Sequence, residues 1–225
     1  MIDRREFGLG LGAAGMGLML PGMAHAQSRT RRFRIYRGDS DIGEQTITVT
    51  REGGSIEVAV DVDIAVRILG IAAYRYTLQS RETWEGGQLL RLDAECNDDG
   101  TAEFARARRE GDTLDIEGSQ FSGTVRGTLA TTTYWTPDFL QRSLWVSTQD
   151  GTPFDVGARD NGMVDYPTEA GTVRARHWSV TGDLAGLELF YDEAGEWIGN
   201  RFDAEGETAE YRVAEMGGAL AELWS

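Results

Sequence analysis

Every even position from Ile56 to Ile68 is a branched apolar residue, while Glu57, Asp61, Asp63 and Arg67 stand between them. A period of two marks a β-strand with one face on a core and the other in water. At about 3.3 Å per residue such a run reaches roughly 43 Å, so it must bend, coil or carry a bulge. Shorter alternating runs recur at 33–37, 44–51, 73–84, 89–95, 103–109, 173–181, 187–191, 196–202 and 210–213. Between them stand turn signals: Gly53-Gly54, Gly86-Gly87, Asn97-Asp98-Asp99-Gly100, Gly111, Asp160-Asn161-Gly162 and Ala194-Gly195. Asn-Gly and Asp-Gly steps supply the positive φ that tight hairpins need. No repeat or Pro-rich linker divides the series. The pattern therefore predicts an all-β fold over 33–213, a single curved antiparallel sheet, barrel or sandwich-like domain.

One segment departs from this pattern. Thr136-Pro137-Asp138 reads as an N-cap followed by proline at the first helical position, and Phe139, Leu140, Leu144 and Trp145 then fall near one stripe. It predicts one short helix near 137–143. Such a helix would close one mouth of a curved sheet, or else form a surface connection with its aromatics tucked against a sheet edge. Residues 27–32 read as a flexible N-terminal segment. Residues 214–225 read as a tail or short helical turn, weakened by Gly217-Gly218.

The beginning of the chain has another character. Arg4-Arg5-Glu6-Phe7 is followed by a Gly- and Ala-rich apolar stretch, Pro21 and then Ala24-His25-Ala26. This reads as a cleaved signal peptide over 1–26, of the twin-arginine type, although Asp3 and Gly8 depart from the usual pattern. The apolar run of about 14 residues is short of the roughly 20 that span a bilayer. The expectation is a periplasmic or secreted protein with no transmembrane span after cleavage, partnered by the twin-arginine machinery during export.

Composition narrows the chemistry. All 22 basic residues are Arg, which removes lysine-based Schiff-base chemistry and the P-loop. The 37 acidic residues leave a net charge of -15, a field that repels nucleic acid. After cleavage one His and one Cys remain, so no metal site and no cofactor are expected, and the fold must stand on its apolar core without an internal disulfide.

The candidate groups are correspondingly sparse. His177 lies in a strand, and no nucleophile elbow G-x-S-x-G accompanies it. Cys96 shares a face with Leu90, Leu92 and Ala94, where a thiol behaves as a small hydrophobe. The pairs Glu82 with Glu85 and Asp61 with Asp63 have the residue types for acid and base work, but acidic residues are so many that accidental pairs are inevitable. Asn97-Asp98-Asp99-Gly100 lacks the spaced ligands of an EF-hand and reads as a hairpin turn. The six tryptophans and seven tyrosines are more suggestive. Large rings with one polar atom suit the walls of ligand sites, which singles out Tyr76, Trp84, Trp135, Trp178 and Trp197, and they suit equally the filling of a wide sheet interior.

Tyr74-Arg75-Tyr76, the stretch from Ser80 to Trp84, the turn at 97–100 and Tyr191-Asp192-Glu193-Ala194-Gly195-Glu196-Trp197 together resemble an uncharacterised family of exported proteobacterial proteins, a domain of unknown function. Phe190 stands where that pattern has Trp. The resemblance covers 33–213 and implies no catalytic residue. Two functional readings follow from the residues. The first is a non-enzymatic periplasmic binder of an apolar or amphipathic small molecule or lipid. The second is a cofactor-free enzyme, an isomerase, cyclase or hydrolase, using carboxylate, Tyr and Arg groups.

Overall fold

Strand β1 (Gln27–Arg37) lies in the middle of the sheet to which it belongs. It is hydrogen-bonded to β2 (Ser40–Glu52) on one side and to the last strand, β15 (Glu207–Gly217), on the other. These elements come from a computed structural model that describes residues 26–68 and 71–224; the leader assigned to 1–26 therefore lies outside the described residues but for Ala26. From β2 the chain meanders outward through β3 (Ser55–Ile68), β4 (Ile71–Glu85), β5 (Gln88–Asp98), β6 (Thr101–Glu110), β7 (Thr113–Gly118) and β8 (Ser122–Arg126). The other wing holds β9 (Ala130–Thr131), β10 (Leu144–Val146), β11 (Pro153–Thr168), β12 (Gly171–Gly182), β13 (Glu188–Asp192) and β14 (Trp197–Ala204) before closing on β15. Every pair is antiparallel except β9 with β10.

The outermost strands, β8 and β9, are consecutive in the chain with only 127–129 between them. The sheet therefore curls until its ends approach, yet no ladder joins them and the sheet stays open. A backbone contact helps to bring the ends together: Gln120 N–H donates to the Asp150 carbonyl at 3.2 Å. Gly118 presses on the same carbonyl so closely that a Cβ there would lie 2.1 Å from its oxygen. The all-β, curved-sheet expectation holds.

Curling turns one face inward, and the even positions of β3 take it: Ile56, Val58, Val60 and Val62 are buried beside Phe33, Ile35, Ile47 and Val49. The long strand does not break, since β3 pairs with β2 from Ser55 to Ile64 without a shift. Its curvature is relieved in its neighbours, through register shifts between Ile35 and Tyr36 in β1 against β2 and between Val66 and Arg67 against β4. Such bulges raise local twist and bend a sheet.

Several local readings need correction. Residues 27–32 are ordered strand, held between β2 and β15, with Arg31 wholly buried. Their polar side chains hid this, because Ser28 and Thr30 bond the hydroxyls of Thr50 and Thr48 across the strand pair and so face outward. Asp160-Asn161-Gly162 is not a hairpin turn. It is an insertion within β11, where the pairing with β12 jumps from Asp160↔Trp178 to Met163↔Arg176. Gly162 has φ 86° there, and a bulge uses a positive φ as readily as a turn does. The terminal segment, read as a tail or short helical turn, belongs to β15 as far as Gly217 and then forms the single helical turn α1 (Ala221–Trp224).

The short helix near 137–143 is a 3-10 turn, Pro137–Gln141, capped as expected by Thr136, whose side chain accepts from Asp138 N–H at 3.4 Å. It closes one end of the interior. Phe139 has no exposed surface, and its ring lies 5.1 Å from Trp84 and 5.8 Å from Trp224 of α1. The Arg142 guanidinium sits over the rings of Trp84, Phe139 and Trp224 at 5.5, 5.1 and 5.3 Å. Rings of this size around one cation bury apolar surface and add electrostatic attraction.

At the other wing the ribbon β11–β12 folds back over the outer face of β14 and β15. The Tyr166 hydroxyl donates to the carbonyls of Tyr211 at 2.7 Å and Asn200 at 3.2 Å, and its ring stacks 4.0 Å from Phe190. Both faces of β13 and the start of β14 are thereby covered, which is why Leu189-Phe190-Tyr191 and Trp197-Ile198 read as continuous apolar runs and not as alternation. Among the described residues only Val173 and Met216 are large apolar side chains left exposed, so no broad apolar patch remains. No described helix is long and apolar enough to cross a membrane.

Candidate functional site: the open mouth

Consecutive hairpins of a meander fall at alternate ends of the sheet. The turns β1–β2, β5–β6 and β14–β15 therefore gather at the end opposite the aromatic plug. There the interior is not filled. A cavity of about 390 Å³ opens between these hairpins, walled by Ile35, Ile42, Ile64, Val66, Phe202 and Tyr211. Its size falls within the roughly 300–1,000 Å³ of small-molecule sites. A larger hollow of about 820 Å³ lies on the outer face, lined by Arg34 and by Asp41 and Glu44, with each of which Arg34 pairs.

The polar groups of the mouth lie on two sides. On β4 and β5 the Tyr74 hydroxyl donates to Asp98 Oδ1 at 2.8 Å, and Gln149 Nε2 approaches Asp98 Oδ2 at 3.5 Å. Tyr76, one inward position deeper than Tyr74, donates to Gln149 Oε1 at 3.2 Å, and Gln149 also donates to Glu103. Burial, and for Tyr74 also the bond to Asp98, pushes both tyrosines well above the ordinary phenol range, so they remain neutral donors. On the opposite side Arg37 meets Glu207 at 3.2 Å, Glu205 at 3.5 Å and the Ala204 carbonyl at 3.2 Å.

Of the five aromatics selected from the sequence, only Tyr76 joins this network. Trp84 and Trp135 belong to the closed end, each with no exposed surface. Trp197 packs 4.2 Å from Phe33 and donates to the Gly199 carbonyl at 2.9 Å. Trp178 is half-buried on β12, opposite Leu189. The residues that sequence reasoning passed over are Tyr74, Asp98 and Arg37. Arg37 and Asp98 end their strands and Tyr74 stands in the first few residues of β4, and only the inward parity of each strand would have marked them.

The other candidate groups are separate from the mouth. His177 stacks on Phe190 at 4.9 Å, with Nε2 3.3 Å from Glu188. Burial pushes the Cys96 thiol up to about 11, and the nearby Glu103, Asp98 and Asp150 add to the rise although a hydrogen bond with Tyr76 opposes it. Such a thiol is no nucleophile at neutral pH. Glu82 and Glu85 lie three apart on one strand and so on opposite faces; Glu82 is buried and Glu85 exposed. Burial pushes the Glu82 carboxyl up to about 7, opposed by the hydrogen bond from Trp84 Nε1 at 2.8 Å and by the nearby Thr131 and Thr133 hydroxyls. Asp61 and Asp63 are exposed on the outer face, Asp63 beside Arg75. No group of three or more His, Cys, Asp or Glu among the described residues is arranged to hold a metal ion.

The fold has a solved counterpart. The crystal structure of a β-barrel-like protein of the domain of unknown function DUF1849 from Brucella abortus matches with a TM-score of 0.56 at 9% identity, covering 84% of this chain and 95% of that one. That likeness concerns the fold alone. No curated protein matches. The profile of a domain of unknown function, DUF6134, matches residues 33–214, nearly the whole sheet from the middle of β1 into β15, and the chain belongs to that family.

Proposed function

We propose that this protein, once exported to the periplasm through its twin-arginine leader, acts as a non-enzymatic binder of an apolar or amphipathic small molecule or lipid. The observation that carries the reading is the asymmetry of the curled sheet: one end is sealed by Trp84, Trp135, Phe139 and Trp224, while the other keeps an apolar cavity of about 390 Å³ with few polar groups at its rim. The carboxyl raised toward neutrality, Glu82, does not line that cavity, which supports binding over acid and base catalysis.

Native mass spectrometry of protein purified from its own periplasm is the test. A retained small molecule, displaced in the variant Ala209→Phe that fills the cavity, is the expected result. An empty chain that no lipid extract protects on heating would overturn the reading.

A further inference from the structure

Charge is distributed unevenly around the mouth. Arg37 is the one basic side chain lining the cavity among the described residues, and Glu205, Glu207 and the Ala204 carbonyl already engage it. Asp98 lines the opposite wall and, among the described residues, receives only neutral donors, the Tyr74 hydroxyl at 2.8 Å and the Gln149 amide at 3.5 Å. Glu103 bonds the same amide, and Asp150 lies close enough to act on Cys96 together with Asp98 and Glu103. None of these three carboxylates takes part in an ion pair among the described residues, although Arg is abundant elsewhere on the sheet.

A partly buried carboxylate without a cationic partner is unfavourable, and a ligand that brings the missing charge relieves it. An ionised carboxyl offers about four lone-pair directions, of which the tyrosine and the amide use two. The Tyr74 ring beside it can also attract an ammonium group. An anionic head entering the same mouth would meet the carboxylates at short range and the chain's net charge of -15 at long range.

We propose that the mouth is selective for a cationic amphiphile, an alkyl or similar apolar body carrying an amine or quaternary ammonium head, with Asp98 as the counter-ion. This rests on the mouth being the binding site and names the class of ligand it takes. The apolar body lies against Ile35, Ile64, Val66 and Phe202, and the head rests at the β4–β5 rim.

Isothermal titration with three ten-carbon probes below their micellar concentrations tests it: decyltrimethylammonium, decanoate and 1-decanol. The expected order is the ammonium tightest, by about tenfold or more over decanoate, with 1-decanol between them. Asp98→Asn should weaken the ammonium by about tenfold and 1-decanol, which carries no charge, by about twofold or less, and Glu103→Gln should weaken the ammonium about threefold. Circular dichroism confirms the fold of each variant. Decanoate binding as tightly as the ammonium, or an ammonium affinity indifferent to both variants, overturns the charge selection while leaving a binding site in place. Absence of binding by all three probes overturns the mouth as a binding site altogether.

Discussion

The guanidinium of Arg31, with no exposed surface, lies 2.6 Å from Glu196 Oε2 across 165 residues of chain. Arg31 also donates to the Trp197 carbonyl at 2.7 Å and the Gly218 carbonyl at 3.2 Å. Glu196 in turn accepts the backbone N–H groups of Leu220 and Ala221, both at 2.9 Å. One buried pair thus anchors the first described strand, the β13–β14 turn and the terminal turn that carries Trp224 into the plug. Removing one member of such a pair leaves a buried charge uncompensated, which costs about 3–5 kcal/mol. Arg31→Met should lower stability in urea by that amount, with amide exchange rising first at 218–224. The double variant Arg31→Met, Glu196→Leu should lose less than Arg31→Met alone; equal or greater loss would show that the pair is not the source.

Glu82 predicts a pH dependence of definite sign. Its folded-state value near 7 stands above the ordinary 4.5, so between these values the folded protein holds a proton that the unfolded chain has released. Stability falls as pH rises through this window, by roughly 3 kcal/mol, and levels off above about pH 7. Below about 4.5 both states are protonated and the penalty vanishes. Thermal unfolding of the wild type and of Glu82→Gln between pH 4 and 8 isolates this contribution from the other carboxylates. The variant should gain on the wild type as pH rises, and parallel curves would refute the assignment.

The mouth predicts a separation of binding from stability. Ala209 is buried beside the cavity, so Ala209→Phe adds a ring to space that is already empty. Filling such space leaves stability within about 1–2 kcal/mol, whereas overpacking a full core costs more. Ligand affinity should fall at least about tenfold. A melting temperature close to the wild type together with lost binding is the expected pair of measurements; unchanged affinity would move the site elsewhere.

Closure of the sheet predicts a further sensitivity. A methyl group at Gly118 would meet the Asp150 carbonyl at 2.1 Å, and both atoms involved are held by backbone. Gly118→Ala should therefore force the two ends of the sheet apart, at a cost of about 1–3 kcal/mol. Hydrogen exchange at Gln120, whose N–H donates to Asp150, is the local probe. Protection there equal to wild type would mean that the ends do not depend on this contact.

Tyr76, chosen for its residue type, reaches the mouth through Gln149, whereas Trp84 and Trp135, chosen on the same ground, seal the other end. Residue chemistry was readable in all three, and their destinations were not. Tyr74 and Asp98 are 24 residues apart and meet because β4 pairs with β5 so that Tyr76 stands opposite Asp98, two positions from Tyr74. The turn at 97–100 was evident as a turn, but nothing local marks one of its carboxylates as facing an interior. Arg31 was misjudged for the opposite reason, since its basic neighbours resemble a solvated segment while its partner lies far along the chain.

What the chain determines by itself is local: strand after strand of alternating residues, glycine and asparagine at the turns, and a short helical segment capped by Thr136 with Pro137 at its first position. These depend on contacts between neighbours in sequence, so a period of two and a preference for positive φ suffice to reveal them. Tertiary structure alone decides how far the sheet curls, which end is sealed and which stays open, and where a carboxylate is left without a counter-ion. Those outcomes depend on pairs such as Gly118 with Asp150 and Arg31 with Glu196, which lie far apart in sequence and come together only in the folded sheet.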